Sequence, residues 1–523
     1  MARSSAENPP SRPNQGARAA PHDRPWWETR WMVALAIAAA TIPLAYPSIP
    51  PLVDLLGHMG RYRVELGHSP LLDRYFEFRW QAIGNLGVDL IVLALAPLMG
   101  LEPAVKLIII AIPALTVAGF LWVAREVHGR IPPTAYLAIP FAYGQPFLFG
   151  FVNFALSMAM AFFAFGLWLR MARKGQLKSR ELLFVPISIV IFFTHAYGWG
   201  ALGLLCFSAE AVRLHDQGQS WWKAGFNAAV HASVMALPLL IMIVWRNDGS
   251  QGDTSDWFNW HAKWVWLKGT LRDRWQVFDI ASLAAVSLVL AEAVRNRRLT
   301  YSRNLLFSGL VLTAGFIFLP RIVFGSAYAD MRLLPYIFAV LFIAIRFRGE
   351  TDRRLGQLLM IIALLFVGIR LTGNSISLAK AAHDQESKLP ALDHVPLGSR
   401  VLSFTSLPCG IVWELPRNGH LGAMAIVRRQ GFSNDQWVME GLNLMELRYR
   451  QPGFFAADPS QIVRPNGCGD RLHLTIDQSL RYFPRDGFDY VWLIGVPEFD
   501  HSLIADLTPV WRSGNSILYR VRP

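Results

Sequence analysis

The chain has 523 residues, of which 53% are hydrophobic and 17% are charged, and its formal net charge is +13 at pH 7. The apolar residues fall in long blocks, which excludes an ordinary soluble protein and indicates a multi-pass membrane protein. Lys and Arg lie between these blocks and form no basic stripe with stacking aromatics. The positive charge therefore indicates membrane topology and attraction to anionic lipid, and we expect no nucleic-acid partner.

The N-terminal segment, residues 1–30, is rich in Pro, Ser, Ala and Arg and has no hydrophobic periodicity, as is typical of a disordered basic tail. The apolar run that follows, residues 31–45, has the length of a signal-peptide core. Five arginines before it and many apolar blocks after it favour an uncleaved first span that begins in the cytoplasm. The next stretch, PPLVDLLGHMGRYR, then lies outside the cytoplasm.

This stretch spaces three polar residues, Asp54, His58 and Arg61, four and three positions apart. That spacing puts them on one face of a helix and Leu52, Leu55, Leu56 and Met59 on the other, which predicts an amphipathic helix lying on the membrane. Asp54 either carries chemistry or complements the helix N-terminus after two prolines. His58 and Arg61 either bind a substrate or belong to a solvated polar face.

The apolar run 88–99 is short and contains Pro97, so we expect it to lie on the membrane surface within a first outer loop of residues 47–102. Counted alternately, the later segments place the clusters of Lys and Arg in the cytoplasm, which is the positive-inside pattern. The sequence thus predicts a mainly α, polytopic bundle of about eleven spans with its C-terminus outside the cytoplasm. The later candidate spans are 103–125, 133–149, 151–171, 181–198, 199–213, 223–246, 276–295, 302–320, 332–347 and 354–373.

Several polar residues fall at the outer ends of these spans. Asn153 and His195 either make hydrogen bonds between helices or contact a substrate. Arg321, Asp330 and Arg332 lie in the segment PRIVFGSAYADMRLLP, where Asp330 and Arg332 could also pair with each other. Few charges fall deep within a span, so an ion path through the membrane has little support. Four tryptophans of one loop form either an interfacial belt or a platform for a sugar ring: Trp257, Trp260, Trp264 and Trp266.

From residue 374 onward the composition becomes mixed, which predicts a separate α/β domain over residues 374–523. The runs RVLSF, DYVWLIGV and SILYRV are predicted strands, and residues 435–447, DQWVMEGLNLMEL, are a predicted amphipathic helix. Cys409 and Cys468 form a disulfide in this domain or remain two free thiols. The absence of a CxxC pattern gives no support for a zinc or haem site.

The arrangement resembles the GT-C superfamily of membrane glycosyltransferases, and in particular bacterial relatives of the dolichyl-phosphate-mannose and aminoarabinose transferases. The resemblance covers residues 31–373. It rests on a first span followed by a large outer loop with an acidic residue (DLLGH), a second surface helix (GNLGVDLIVLALAPLMG) and a span that ends in basic residues and glycine (VAREVHGR). It implies transfer of a sugar from a polyprenyl-phosphate donor to an unknown glycan, lipid or protein acceptor of the cell envelope. The compartment implied is the outer face of a bacterial inner membrane.

On this reading Asp54 is the expected catalytic carboxylate, because a carboxylate can take the proton of an acceptor hydroxyl or stabilise a cationic sugar. The departing phosphate favours Arg332 and Arg321, with Arg61 third, because guanidinium groups match phosphate in charge and geometry. His58, His195, Asn153 and Asp330 complete the expected substrate site. A divalent cation at Asp54, Mg²⁺ or Mn²⁺, is an open alternative, although one carboxylate is a poor site for it unless substrate phosphate supplies the other oxygens. Two non-enzymatic readings remain open, a transporter of lipid-linked sugars and a scaffold of an envelope complex.

Overall fold

A computed structural model of the chain describes residues 25–245, 253–349, 351–410, 412–438, 444–470 and 472–521. The tail predicted over residues 1–30 falls almost entirely outside this part of the chain. The described residues are mostly helical, with short 3₁₀ turns between the longer elements. The helices are α1 (Arg30–Ala39), α2 (Ile42–Ala45), α3 (Leu55–Glu65), α4 (Gly87–Met99), α5 (Leu101–His128), α6 (Gln145–Phe149), α7 (Val152–Arg173), α8 (Leu177–Thr194), α9 (Ala196–Asp216), α10 (Trp221–Ala232), α11 (Leu237–Trp245), α12 (Trp260–Lys268), α13 (Gln276–Arg295), α14 (Arg303–Phe318), α15 (Leu334–Ala344), α16 (Arg353–Glu386), α17 (Met424–Arg429) and α18 (Ile476–Tyr482). The strands are β1 (Phe76–Phe78), β2 (Leu299–Tyr301), β3 (Ile345–Phe347), β4 (Arg400–Ser406), β5 (Phe432–Ser433), β6 (Met445–Leu447), β7 (Ile462–Val463), β8 (Tyr490–Ile494), β9 (Leu507–Ser513) and β10 (Ser516–Val521).

Four helices of the described chain, α5, α7, α13 and α16, are long and apolar enough to cross a membrane. Helices α10 and α11 meet the same test as a pair but are bent by 63° at their junction. Helices α1, α4 and α14 are apolar but shorter. The chain is therefore an integral membrane protein with at least four candidate spans, while the expected count of eleven stays a prediction.

Prolines break two of the expected spans. The first expected span is divided at residues 40–41 into α1 and α2, with Pro43 in the first turn of the second piece. Residues 133–149 were expected to form one span but form a 3₁₀ helix over Pro133–Tyr143 followed by α6. Pro140, inside this segment, lacks the N–H that an α-helix needs at interior positions. The whole 3₁₀ segment is buried, so the surrounding helices shield its backbone from lipid.

Helix α3 is enclosed on nearly all sides rather than lying with a free polar face on a membrane surface. Nine of its eleven residues are buried. One side packs on α5 and α4, and the other packs on α17 and on β6. The predicted amphipathic spacing is present, but the polar face of α3 contacts protein, because the C-terminal part of the chain covers it.

Residues 400–521, called the C-terminal unit below, contain a six-stranded mixed sheet. Strand β4 pairs in parallel with β5, β7 and β8, while β10 pairs antiparallel with β8 and β9. One face of β4 and β8, with Val401 and Trp492, joins the core of the helical bundle. The other face, with Leu402 and Val491, belongs to a second core. Both faces are buried, which explains why these strands are apolar without alternation.

Two sequence expectations for the C-terminal part are wrong in detail. The composition boundary at residue 374 falls inside α16, which continues to Glu386. The helix expected over residues 435–447 is not formed in its described part, where β6 pairs with β1 through Phe76 and Leu447. Residues 439–443 of that segment lie outside the described residues. The expected strands in RVLSF, DYVWLIGV and SILYRV are present as β4, β8 and β10.

Buried ion pairs hold the helices to one another, although the sequence suggested few charges at such depth. Arg370 of α16 donates to Asp279 of α13 at 2.8 Å, and Arg180 of α8 donates to Glu210 of α9 at 3.0 Å. All four side chains are almost fully buried. Each pair therefore compensates two charges that water does not reach.

We predict that Arg370→Met lowers the free energy of unfolding by about 3–5 kcal/mol, because it leaves the buried Asp279 carboxylate without its guanidinium partner. Thermal unfolding of the detergent-purified protein measures the effect. The control is Arg298→Met, which removes a 2.7 Å pair with Asp352 in which the arginine side chain is 69% exposed. We expect about 0–1 kcal/mol there. Equal losses in the two variants would contradict the structural weight given to Arg370.

Candidate functional site

Asp54 is held by backbone contacts rather than by capping its own helix. Asp54 is the N-cap residue of α3, but its side chain makes no capping hydrogen bond to that helix. Its N–H donates to the Phe149 carbonyl oxygen at 2.9 Å, and the neighbouring Val53 N–H donates to the Leu148 carbonyl at 3.3 Å. Gly150 follows with φ +103°, and a Cβ at Gly150 would lie 2.7 Å from the Asp54 nitrogen. The glycine thus permits the close approach that fixes Asp54.

The carboxylate of Asp54 faces a histidine of the C-terminal unit. His420 Nε2 lies 3.9 Å from Asp54 Oδ1. The other ring nitrogen, Nδ1, donates to Asp435 Oδ1, and Asp435 Oδ2 accepts the Ala423 N–H at 3.1 Å. Both His420 and Asp435 are buried. Asp54, His420 and Asp435 therefore form a chain of three titratable groups between α3 and the C-terminal unit.

Small residues on α3 allow this contact. A Cβ at Gly57 would lie 2.6 Å from the Trp437 ring, and one at Gly60 would lie 2.5 Å from Gln436 Nε2. The segment after Asp435 consequently packs directly on the first turns of α3. His58 lies behind the site, with its ring 5.1 Å from that of Trp437, which in turn is 4.4 Å from the ring of His420. His58 does not contact Asp54 through its ring in the way that His420 does.

Burial and mutual charge set the protonation of the three groups. Burial raises the pKa of Asp54 to about 7, although the charge of His420 opposes this shift. Burial works against the charged form of His420, but Asp435 first and Asp54 second outweigh it and raise the His420 pKa to about 9. Burial also raises the pKa of Asp435 to about 6, against the effect of His420. At neutral pH His420 is thus protonated and Asp54 is close to its midpoint.

A second group of polar side chains approaches from the helical bundle. Arg332 Nη1 lies 3.2 Å from His195 Nε2, and Arg332 Nη2 donates to Ser326 Oγ at 3.1 Å. The Tyr197 N–H lies 3.1 Å from His195 Nδ1 while Arg332 Nη1 faces Nε2, and a neutral imidazole ring can accept only one of these two hydrogen bonds. The Arg332 Nε and the Tyr197 hydroxyl are buried and have no partner within the described chain. Arg332 Nη2 also donates to the Ala327 carbonyl oxygen at 3.3 Å, so the unsatisfied donors are the Arg332 Nε and the Tyr197 hydroxyl, and buried donors of this kind are typical of an anion site.

Two expected substrate residues are engaged elsewhere. Arg61 donates to Asp89 at 2.6 Å, and Asn153 donates to the other oxygen of Asp89 at 2.9 Å. The side-chain oxygen Oδ1 of Asn153 also accepts a hydrogen bond from the Val88 N–H at 2.5 Å. This network joins α3, α4 and α7, so the structure brings Arg61 and Asn153 together at Asp89 and away from the groups facing Asp54.

Arg321 and Asp330 also have partners of their own. Arg321 pairs with Asp256, and the two flank the short antiparallel bridge between Ser255 and Ile322. Asp330 pairs with Lys263 at 3.1 Å and not with Arg332. Both side chains of this pair are buried. Arg332 therefore has no ion pair with Asp330 and contacts His195 instead. Its guanidinium carbon lies 4.3 Å from the Phe151 ring and 4.9 Å from the Tyr197 ring.

The sequence did not single out His420 or Asp435. They lie 366 and 381 residues after Asp54, and no spacing rule links them to α3. The one local signal is glycine around His420, since a Cβ at Gly422 would lie 2.1 Å from Ser403 Oγ. Of the two readings of the cysteines, the structure has the disulfide, between Cys409 and Cys468 with a Cα–Cα distance of 5.9 Å.

The residues around Asp54 do not fit a protein-held metal ion. No group of three or more His, Cys, Asp or Glu in the described residues has an arrangement that could hold one. The groups facing Asp54 include the cations of His420 and Arg332, both of which lower its pKa.

The overall fold of the chain is similar to that of solved structures. The chain is similar to the crystal structure of ArnT from Cupriavidus metallidurans in the apo state, with a TM-score of 0.50, 11% identity, and 94% of this chain and 97% of that chain covered. Against ArnT bound to undecaprenyl phosphate the TM-score is 0.49 with the same identity and coverage. Against the arabinofuranosyltransferase AftD from Mycobacteria it is 0.46 at 15% identity, covering 94% of this chain and 40% of that chain. No protein-family model and no curated protein sequence matches the chain.

We predict that the protein becomes less stable as pH rises from about 6.5 to 9. The raised pKa of His420 means that the folded state holds a proton that the unfolded chain releases above pH 6.5. This stability is complete below pH 6.5 and is lost as pH passes through about 9, with a total of about 3 kcal/mol. The unfolding midpoint as a function of pH in detergent measures it.

The variant His420→Gln should flatten this part of the pH profile. The exposed His501 of the same unit supplies the control His501→Gln, which should retain the slope of the natural protein. Asp54 and Glu65, whose pKa values are also raised, retain some slope in this variant, so a His420→Gln profile as steep as that of the natural protein would show that other groups cause the loss.

Proposed function

We propose that the chain is a membrane glycosyltransferase that moves a sugar from a polyprenyl-phosphate donor to an acceptor hydroxyl. One observation carries the proposal: the titratable group of Asp54, His420 and Asp435 lies close to the Arg332 cation, and the Arg332 Nε and the Tyr197 hydroxyl are buried donors without a partner in the described chain. Transfer from a sugar phosphate needs both functions, a base for the acceptor and donors for the leaving phosphate. The resemblance of the sequence to the GT-C superfamily supports the same conclusion.

Asp54 acts as the base in this proposal. The acceptor oxygen attacks the anomeric carbon, its proton passes to an Asp54 carboxylate oxygen, and the bond between the anomeric carbon and the phosphate oxygen breaks. The leaving polyprenyl phosphate keeps the electron pair of the broken bond. A pKa near 7 suits a base at neutral pH. The His420 cation, held by Asp435, keeps part of the Asp54 population ionised despite its burial.

The leaving phosphate binds Arg332 and His195 in this proposal. A phosphate oxygen beside Arg332 Nη1 and His195 Nε2 would accept a hydrogen bond from Arg332, and one from His195 when that ring carries its proton on Nε2. Arg332 Nε and the Tyr197 hydroxyl supply further donors. Guanidinium binding of phosphate is strongest in a site without water, where the developing charge meets preorganised donors.

The donor lipid and the membrane side follow from the sequence resemblance. ArnT has been crystallised with undecaprenyl phosphate, so that lipid is the first to test. We further propose that the C-terminal unit lies outside the cytoplasm of a bacterial inner membrane. The disulfide between Cys409 and Cys468 supports this side, since disulfides persist in oxidising compartments.

We predict that Asp54→Asn lowers turnover at least about 10²-fold, because the amide keeps the size of the carboxylate but cannot accept the proton. The measurement is release of free undecaprenyl phosphate, by mass spectrometry, from a panel of undecaprenyl-phosphate monosaccharides incubated with the purified protein and envelope extract. This product is common to every sugar and acceptor. The control is Asp393→Asn, whose carboxyl is 76% exposed and pairs with Arg429 at 2.6 Å.

The outcomes of this experiment distinguish a transferase from a transporter and from a scaffold. Full release by Asp54→Asn would contradict Asp54 as the base. If the natural protein binds undecaprenyl phosphate but releases none from any donor, the transporter or scaffold reading is supported instead. His420→Gln should retain binding and lose turnover, because His420 acts through Asp54.

We also predict that Gly150→Ala lowers release of undecaprenyl phosphate by an order of magnitude or more. The added Cβ would lie 2.7 Å from the Asp54 nitrogen and must displace that backbone. Gly129→Ala is the matched control, because Gly129 also has a positive φ, +70°, but a Cβ there meets nothing within 4 Å. Both variants bear the strain of a left-handed alanine. An equal loss in both would attribute the effect to strain rather than to the position of Asp54.

A further inference from the structure

A groove of about 600 Å³ runs between the start of α13 and the second half of α16. Its walls are almost wholly apolar and include Trp275 and Phe278 on one side and Leu365, Ile369 and Ile376 on the other. Gly368 lies in its floor, where a Cβ would meet nothing within 4 Å. Both helices are candidate spans, so the groove lies where hydrocarbon chains surround the protein.

A basic cavity of about 420 Å³ adjoins the same two elements beyond the apolar groove. It is lined by five cationic residues and two acidic ones. The cationic residues are Arg272, Arg274, Lys380, Arg417 and Arg464, and the acidic ones are Asp384 and Glu414. The cavity lies where α16 leaves the bundle and meets the carboxyl end of β4. It is therefore a pocket between the spans and the C-terminal unit.

Arg274, Arg417 and Arg464 pair with carboxylates, of Glu414, Asp273 and Asp470, but the other two cations do not in the described chain. Lys380 forms no ion pair among the described residues, and Arg272 donates only to the carbonyl oxygens of Val412 and Trp413, each at 2.7 Å. Arg417 is 4% exposed and pairs with Asp273, but its Nε has no partner in the described chain. The cavity thus holds positive charge and buried donors that its own carboxylates do not satisfy.

The groove and the basic cavity share one face of α16. Leu365, Ile369, Ile376 and Lys380 are separated by four, seven and four residues, so they follow one stripe along the helix. From Ile376 to Lys380 the helix rises about 6 Å. On the α13 side the same change occurs between Phe278 and Arg274. Apolar walls therefore pass into cationic walls within one helical turn.

We propose that this face binds an anionic lipid, with its hydrocarbon chain in the α13–α16 groove and its phosphate in the basic cavity. Basic pockets at the ends of spans are the usual binding sites for lipid phosphates. The lining of the groove and cavity includes neither Asp54 nor His420, Arg332 or His195. The lipid site is thus additional to the proposed reaction centre and does not depend on it.

The rim of the cavity is preformed. Pro408 and Gly410 line it on either side of Cys409, which is bonded to Cys468. Arg464 donates to the Pro408 carbonyl oxygen at 2.8 Å and closes the same corner. A preformed pocket lowers the entropy lost when a headgroup binds.

The test uses phosphatidic acid with a photoreactive diazirine in its acyl chain, added to the purified full-length protein and mapped by mass spectrometry of peptides. We expect labelling of α13 and α16 at least tenfold above that by a diazirine diacylglycerol, which has the chains without the phosphate. Gly368→Leu should reduce that labelling about tenfold. The leucine fills the groove, and it favours the helix over glycine by about 1 kcal/mol, so the fold is retained.

Matched variants make the result specific. Gly225→Leu of α10 is the control for Gly368→Leu, since a Cβ there also meets nothing within 4 Å. Lys380→Glu should remove the preference for phosphatidic acid over diacylglycerol. Labelling of α13 and α16 should persist in Asp54→Asn and Arg332→Gln, which keeps this test separate from that of the transferase.

Two outcomes would overturn the proposal. Equal labelling by phosphatidic acid and diacylglycerol would mean that the groove holds ordinary surrounding lipid. Competition by inorganic phosphate together with unchanged labelling in Gly368→Leu would mean that the cavity binds free phosphate and that no lipid chain occupies the groove.

Discussion

Two buried carboxylates, Asp273 and Asp279, determine how the C-terminal unit sits on the spans. Each is neutralised by an arginine from a different part of the chain, Asp279 by Arg370 of α16 and Asp273 by Arg417 of the C-terminal unit. Trp413 Nε1 also donates to Asp279, at 2.8 Å. Because an unpaired charge at this depth is costly, the segment from Trp413 to Arg417 has a single favourable position. His420 lies three residues after Arg417, so the same constraint fixes its position opposite Asp54.

The candidate site consequently has two halves with different origins. The helical bundle supplies Arg332, His195 and Tyr197, among which the Arg332 Nε and the Tyr197 hydroxyl have no partner in the described chain, while the C-terminal unit supplies the titratable pair His420 and Asp435. Asp54 lies between them, fixed by the backbone contact with Phe149 and Gly150. Neither half alone has both functions. The charge of His420 and the burial of Asp54 act in opposite directions on the same carboxyl, and their balance leaves its pKa near neutrality.

The sequence predicted the elements better than their contacts. Apolar length identified α5, α7, α13 and α16, and apolar runs identified β4 and β8, because burial within one element leaves a local pattern. Spacing also marked Asp54, and the chemistry of phosphate marked Arg332. The sequence did not distinguish Arg332 from Arg61 or Arg321 as the phosphate-binding residue. Only the fold reveals that Asp89 already engages Arg61 and that Asp256 engages Arg321. His420 and Asp435 escaped for the same reason: their role comes from contacts across more than 360 residues.

Helix α3 shows why a polar stripe on a helix is ambiguous until its neighbours are known. Its three marked residues do three different things: Asp54 faces His420, His58 packs on Trp437, and Arg61 joins α4 through Asp89. Gly57 and Gly60 remove the side chains that would hold the C-terminal unit away. A stripe facing water would need no such glycines, because nothing would approach it so closely. The glycines between the polar residues are therefore the part of this stretch that distinguishes a helix enclosed by protein from one lying on a membrane.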